Sequence, residues 1–183
     1  QIEHLALDEN LAEAHASRAS LLEREWKWGE AEREYLRALK TKPGDTRIMC
    51  WYAMMLAEVA RHKEALEQIR RAEEIDPLST YVHVVHALVL YLARRYDDAL
   101  SQIAFTRELD PDDRSVHDLL AYVYAQKGQQ EEAITSAQKA SDLAGEGTVS
   151  VVLGFANAVA GRKAVALAIL PRLRDLWERG QGS

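Results

Sequence analysis

The sequence predicts an all-α protein made of repeated pairs of antiparallel helices, with no β-sheet. Prolines at Pro43, Pro77 and Pro111 stand 34 residues apart, a spacing that accommodates two short helices and their turns. Alanines recur at the same spacing, in the series Ala31, Ala65, Ala99 and Ala133 and the series Ala19, Ala53, Ala87 and Ala121. The chain of 183 residues is rich in Ala, Leu, Glu and Arg and has only 9 Gly and 4 Pro, which favours helix over turn-rich β-structure.

Each recurring position has a physical reason. Small residues fit where two helices approach closely, and bulky residues fill the remaining space to the density of a protein interior. The bulky series is Leu22, Leu56, Leu90 and Tyr124. A proline directly after a helix ends it, because proline cannot donate the next backbone hydrogen bond. Side-chain oxygens then cap the following helix, and the candidates are Asp45, Ser79 or Thr80, and Asp112 or Asp113.

The stretches AEREYLRALKTKP, EALEQIRRAEEIDP and DALSQIAFTRELDP resemble second helices of tetratricopeptide repeats with their terminal proline. The resemblance implies one array, a right-handed solenoid of antiparallel helix pairs (a TPR superhelix). Its expected parts are the tail of a truncated preceding repeat (1–11), five repeats (12–45, 46–79, 80–113, 114–146 and 147–178) and a flexible end (179–183).

The same pattern predicts ten helices, at 12–25, 28–41, 46–59, 62–75, 80–93, 96–109, 114–127, 130–143, 147–160 and 163–178. Pro171 falls inside the last of them, where a proline bends or ends a helix.

Charge and composition restrict the function. Lys plus Arg number 23 against 29 Asp plus Glu, a net charge of −6, so we expect no nucleic-acid partner. The apolar runs are too short to span a membrane, and we expect no membrane partner. The single cysteine excludes an intramolecular disulfide and is compatible with the cytoplasm, which is the expected location.

No catalytic motif stands out, so we expect neither an enzyme nor a cofactor. His15, His83 and His117 share one repeat position, which favours a packing role, since equivalent positions lie one repeat apart. His83 and His86 could touch, but no third metal ligand is close in sequence. Cys50 has no histidine at helical spacing in its own helix.

In the family that the chain resembles, partner contacts come mainly from the first helix of each repeat, on the concave face. The residues at these positions are Arg47, Cys50, Met54, Tyr81, Val84, Leu88, Asp118 and Tyr122, with Glu13, Ala16, Ser20 and Glu23 at the corresponding positions of the first repeat. The lysine–asparagine pair with which some relatives hold a terminal carboxylate is missing. The apolar middle predicts that the groove binds an apolar peptide or amphipathic helix.

One alternative to the peptide-binding function remains open at this point. The apolar stripe could be covered by the chain itself, by further repeats or by a second copy, which would make the protein a structural or oligomerising spacer. Self-association through the groove or through uncapped ends is therefore a possible partner interaction. Three stretches also resemble tetratricopeptide arrays of large bacterial signalling or regulatory proteins: EWKWGEAEREYLRAL, EEIDPLSTYVHVVHALVLYLARRYDDALSQ and LGFANAVAGRKAVALAIL.

Overall fold

The computed structural model describes residues 2–145 and 150–181. This part of the chain contains eleven α-helices and no strand. The helices are α1 (Ile2–Arg24), α2 (Trp28–Thr41), α3 (Thr46–Glu58), α4 (His62–Ile75), α5 (Thr80–Leu92), α6 (Tyr96–Leu109), α7 (Arg114–Gln126), α8 (Gln130–Leu143), α9 (Val151–Val159), α10 (Lys163–Leu167) and α11 (Leu170–Gln181). The all-α prediction is confirmed over these residues.

The helices form two compact units, Gln1–Arg95 and Tyr96–Ser183. In the first unit α1 packs on α2, α3 packs on α4, and α3 also packs on α5 of the next repeat. In the second unit α7 packs on α8, and α9 packs on α7, α8 and α10. Three-residue turns join α1 to α2 and α3 to α4, so the two helices of each of these pairs run antiparallel.

The repeated alanines are buried, as the prediction of close helix packing requires. All eight are at most 1% exposed: Ala19, Ala31, Ala53, Ala65, Ala87, Ala99, Ala121 and Ala133. Leu56 and Leu90 of the bulky series are buried, whereas Leu22 and Tyr124 are half-buried. Packing between neighbouring helices therefore recurs at the 34-residue period, which is why the sequence reveals it.

Three predicted caps are present, and the structure selects between the alternatives. Asp45 accepts hydrogen bonds from the backbone N–H groups of Arg47 and Ile48, both at 3.1 Å. Ser79 and Asp113 cap α5 and α7 in the same way. Each cap satisfies backbone donors that have no partner inside the helix.

Two helix predictions are wrong in part. The first helix begins at Ile2 rather than at residue 12, because nothing in the preceding segment breaks it. The last predicted helix, 163–178, is two helices, α10 ending at Leu167 and α11 beginning at Leu170. Pro171 lies in the first turn of α11, where its missing N–H costs no hydrogen bond. The beginning of the predicted helix 147–160 lies outside the described residues.

The turn inside each repeat contains one residue in the left-handed region. These residues are Trp26 (φ 58°), Ala60 (φ 62°), Arg94 (φ 59°), Gly128 (φ 76°) and Gly161 (φ 74°). The next residue always donates its backbone N–H to a carbonyl near the end of the first helix, as Arg61 does to Leu56 at 2.8 Å and Gln129 to Tyr124 at 2.9 Å. Glycine adopts this conformation at no steric cost. Since only the last two turns have a glycine there, the first three left no signal in the sequence.

Candidate functional site

Arg47, one of the predicted groove residues, contacts two other side chains of the chain. Its guanidinium donates to Oε1 of Glu13 at 2.8 Å, and Glu13 stands one repeat earlier in the chain. It also lies over the Trp51 ring, with 5.3 Å between the guanidinium carbon and the ring centroid. Arg47 is exposed, but its charge is already matched within the chain.

Cys50 does not contribute to a surface. Its side chain is 0% exposed, so the prediction that it contacts a partner is wrong for this conformation. Burial raises the pKa of the thiol to about 12, with smaller contributions from Glu73 and Asp45. A thiol with such a pKa is protonated at neutral pH and is a poor nucleophile.

An apolar row lies along one face of α5. Tyr81, Val84 and Leu88 follow the i, i+3, i+7 spacing that places side chains on the same side of a helix. Tyr81 is 42% exposed, and Val84 and Leu88 are half-buried. The row therefore presents apolar surface without being a fully exposed patch.

Met54 lies in a pocket of about 540 Å³ bounded by α1 and α3. The lining residues are Ala16, Ser17, Ser20, Leu21, Glu23 and Arg24 of α1, Tyr35 of α2, and Trp51, Met54, Met55 and Glu58 of α3. Four of them, Ala16, Ser20, Glu23 and Met54, occupy positions that the repeat pattern assigned to the concave face. The repeat pattern did not predict the pocket itself, because the pocket is formed by side chains of three different helices, α1, α2 and α3.

Glu23 contributes a partly buried carboxyl group to this pocket. Its Oε1 atom is shielded from solvent and has no hydrogen-bond partner among the described residues. Burial raises the pKa of this carboxyl above its ordinary value, the Tyr35 hydroxyl partly offsets the rise, and the Glu58 carboxylate adds to it. A carboxylate in these surroundings is poorly solvated and benefits from any hydrogen-bond donor that enters.

The second unit has a similar carboxylate at another predicted groove position. Asp118 pairs with Arg114 at 3.3 Å, while its Oδ1 atom is buried and has no hydrogen-bond partner among the described residues. Burial raises the pKa of Asp118, and Arg114 and His117 oppose this rise. Tyr122, one turn further along α7, packs against Phe155 of α9 with 5.2 Å between ring centroids.

The repeated histidines combine packing with hydrogen bonding. His83 and His117 are buried, and the Nε2 atom of each lies within hydrogen-bond distance of the carbonyl of the preceding proline, at 2.8 Å from Pro77 and 3.2 Å from Pro111. The burial of these two histidines agrees with the predicted packing role, and each ring also ties the helix to the turn before it. His15, the third, is half-buried, and its Nδ1 atom lies 2.6 Å from Oε2 of Glu34. Nδ1 of His83 and of His86 both lie near Oε1 of Glu73, at 3.1 and 2.6 Å.

No group of three or more His, Cys, Asp or Glu side chains in residues 2–145 and 150–181 has an arrangement that could hold a metal ion. Over the same ranges, no helix is both long enough and apolar enough to cross a membrane.

Comparisons with known proteins identify similar folds. The family model for the tetratricopeptide repeat matches residues 17–80 and 84–147, whereas no curated protein gives a significant match. TTC0263, a thermophilic TPR protein in Thermus thermophilus, is 22% identical with a TM-score of 0.76, over 86% of this chain and 87% of that chain.

Two further solved structures are similar at lower TM-scores. MamA 41-end from Desulfovibrio magneticus RS-1 is 21% identical with a TM-score of 0.59, over 94% of this chain and 97% of that chain. YrrB, described as a TPR protein with an unusual peptide-binding site, is 17% identical with a TM-score of 0.52, over 88% of this chain and 84% of that chain. At these identities the likeness shows the fold.

Proposed function

Because the chain belongs to the tetratricopeptide repeat family, we propose that it is a non-catalytic protein-interaction module that binds an apolar peptide or amphipathic helix. The observation that carries this proposal is the partly exposed apolar row on α5, formed by Tyr81, Val84 and Leu88. Met54 on α3, which packs on α5, adds apolar surface in the same unit. The peptide-binding site that YrrB is described as having supports the class of partner.

The row suits a partner helix better than a polar ligand. An amphipathic helix buries its own apolar stripe, spaced i, i+3, i+4 and i+7, against a face with the same periodicity. The helices of the first unit are held in place by buried contacts, so the face is ordered before binding and little conformational entropy is lost. In the second unit, Asp118 and Tyr122 remain proposed partner contacts.

A selection of displayed random peptides tests the proposal. We expect enrichment of peptides by the unaltered chain and no enrichment by Leu88→Glu, because a carboxylate in the row opposes apolar contact. The matched control is Leu78→Glu, which changes a leucine that is 72% exposed in the turn before α5. Circular dichroism checks that both variants remain helical. Equal enrichment by Leu88→Glu and the unaltered chain would exclude the row as the binding surface.

The second candidate function is a structural or oligomerising spacer. It is favoured by exposed apolar side chains in the second unit, where Val165 is 56% exposed and Leu167 and Leu170 are 49% exposed. Light-scattering measurements of molar mass across protein concentrations separate the two functions. Stable dimers that Leu88→Glu or Val165→Glu dissociates would favour the spacer, whereas a monomer that selects peptides favours the interaction module.

We also propose that this array is one part of a longer protein. The stretches that resemble arrays of large bacterial signalling or regulatory proteins support a role as the interaction array of such a protein, located in the cytoplasm. The reading frame that encodes the chain tests this, since a neighbouring regulatory or signalling domain is expected within it.

A further inference from the structure

The pocket bounded by α1 and α3 combines apolar walls with two carboxylates, and we propose that it binds a lysine or arginine side chain of the partner peptide. This inference rests on the proposed function and adds the chemistry of one partner residue. The pocket volume of about 540 Å³ is within the range of small-molecule sites, so it accommodates a long side chain.

The walls match the aliphatic part of such a side chain. Leu21 contributes from α1, and Met54 and Met55 contribute from α3. Leu21 is 59% exposed, although a leucine on this face of α1 gains stability by burial. Methionine is flexible and polarisable, and it adapts its shape to a guest. Lysine and arginine bury their methylene groups against surfaces of this kind while their charge stays at a polar site.

The two carboxylates lack the cation that other carboxylates of this unit have. Glu13, Glu32 and Glu34 each pair with an arginine of the chain at 2.8 to 2.9 Å. Among the described residues neither Glu23 nor Glu58 forms an ion pair, and the charge of Glu58 opposes the ionisation of Glu23. A guest cation would favour both ionised carboxylates and donate to the unpartnered Oε1 atom of Glu23.

The cations nearest in sequence do not fill this role. Arg24 lines the pocket, but it directly follows Glu23 on α1, and adjacent helix positions do not face each other. Arg61, three residues after Glu58, pairs with Glu32 and Glu64. Arg47, further along the chain, is held by Glu13 and by the Trp51 ring. The missing positive charge therefore has to come from the partner.

Other occupants fit the pocket less well. An acidic side chain would add a third negative charge to two that already repel each other. A purely apolar side chain would exclude water from the partly buried Glu23 carboxylate without supplying a cation, which offsets part of the gain from its apolar contacts. A cationic side chain satisfies the walls and the carboxylates together.

Nuclear magnetic resonance of methionine methyl groups tests the proposal directly. The chain has three methionines, of which Met54 and Met55 line the pocket and Met49 does not. The probe is the blocked pentapeptide Ala-Ala-Lys-Ala-Ala, and its control replaces lysine by norleucine, which keeps the aliphatic chain and removes the charge. We expect the lysine peptide to shift the Met54 and Met55 signals while Met49 stays unchanged, and the norleucine peptide to shift none.

Two variants test whether the Glu23 carboxylate binds the lysine side chain. Glu23→Gln should weaken binding of the lysine peptide about tenfold, because it removes the charge and keeps the shape. Glu67→Gln, an exposed glutamate on α4 outside the pocket, should leave binding unchanged. Equal shifts with the norleucine peptide, or unchanged affinity in Glu23→Gln, would overturn the proposal.

The outcomes also separate this inference from the function on which it rests. If peptides are selected through Leu88 but the lysine peptide shifts neither pocket methionine, the cationic subsite is wrong and the groove stands. If the lysine peptide binds the pocket but the selection enriches nothing, the proposed groove function is wrong. Selected peptides that share a lysine or arginine, and that Glu23→Gln loses, would support both.

Discussion

The left-handed residue in the turn inside each repeat allows a quantitative prediction. Replacing Gly128 by alanine should destabilise the second unit, and replacing Ala60 by glycine should stabilise the first unit. The two positions are equivalent, with φ of 76° at Gly128 and 62° at Ala60. The pair of substitutions therefore measures one conformational cost in both directions.

The magnitude follows from the surroundings of the turn. A Cβ atom added at Gly128 has no heavy atom within 4 Å, so packing contributes nothing and backbone strain decides the result. The left-handed conformation costs an L-residue about 1–2 kcal/mol. The smaller conformational freedom of alanine in the unfolded chain returns roughly 0.4–1 kcal/mol. We therefore expect Gly128→Ala to lower the free energy of unfolding by about 1 kcal/mol and Ala60→Gly to raise it by a similar amount.

Urea denaturation followed by circular dichroism measures both changes. The matched control is Gly44→Ala, since Gly44 also has no atom within 4 Å of an added Cβ but does not lie in the left-handed region. This control should be neutral or stabilising, because only the entropy of the unfolded chain changes. If Gly128→Ala were as stable as Gly44→Ala, the left-handed turns would not carry the cost assigned to them.

Two further predictions concern half-buried carboxylates whose pKa values move in opposite directions. Because the folded protein raises the pKa of Glu23 above 4.5, ionisation of Glu23 opposes folding at neutral pH, and Glu23→Gln should raise the free energy of unfolding there. Urea titrations should show this gain vanish below about pH 4.5. An equal gain at all pH values would contradict the reasoning. Burial raises the pKa of Glu73, but His86 and His83 outweigh this effect and hold the pKa below 4.5, so Glu73→Gln should destabilise the protein at neutral pH. The same titrations should show the stability difference between Glu73→Gln and the unaltered chain disappear as the pH falls through the lowered pKa. An unchanged stability of Glu73→Gln at neutral pH would contradict a stabilising role.

The sequence determined most of the helical architecture. The 34-residue recurrence of proline and alanine located the helices of the first four repeats to within about two residues, apart from the start of α1. Caps such as Asp45 were predictable as well, because a cap depends on a side chain and backbone groups two or three residues away. Local interactions that recur at a fixed period leave a pattern that the sequence displays directly.

The tertiary structure decided which of the groove positions carry chemistry. Cys50 and Met54 are one helical turn apart on α3, yet Cys50 is buried and Met54 lines the pocket. The pairing of Arg47 with Glu13 and the absence of a partner for Oε1 of Glu23 among the described residues depend on which helices face each other. The burial and pKa of each group are set by neighbours from other helices, and a repeat period does not encode them because the side chains differ from one repeat to the next.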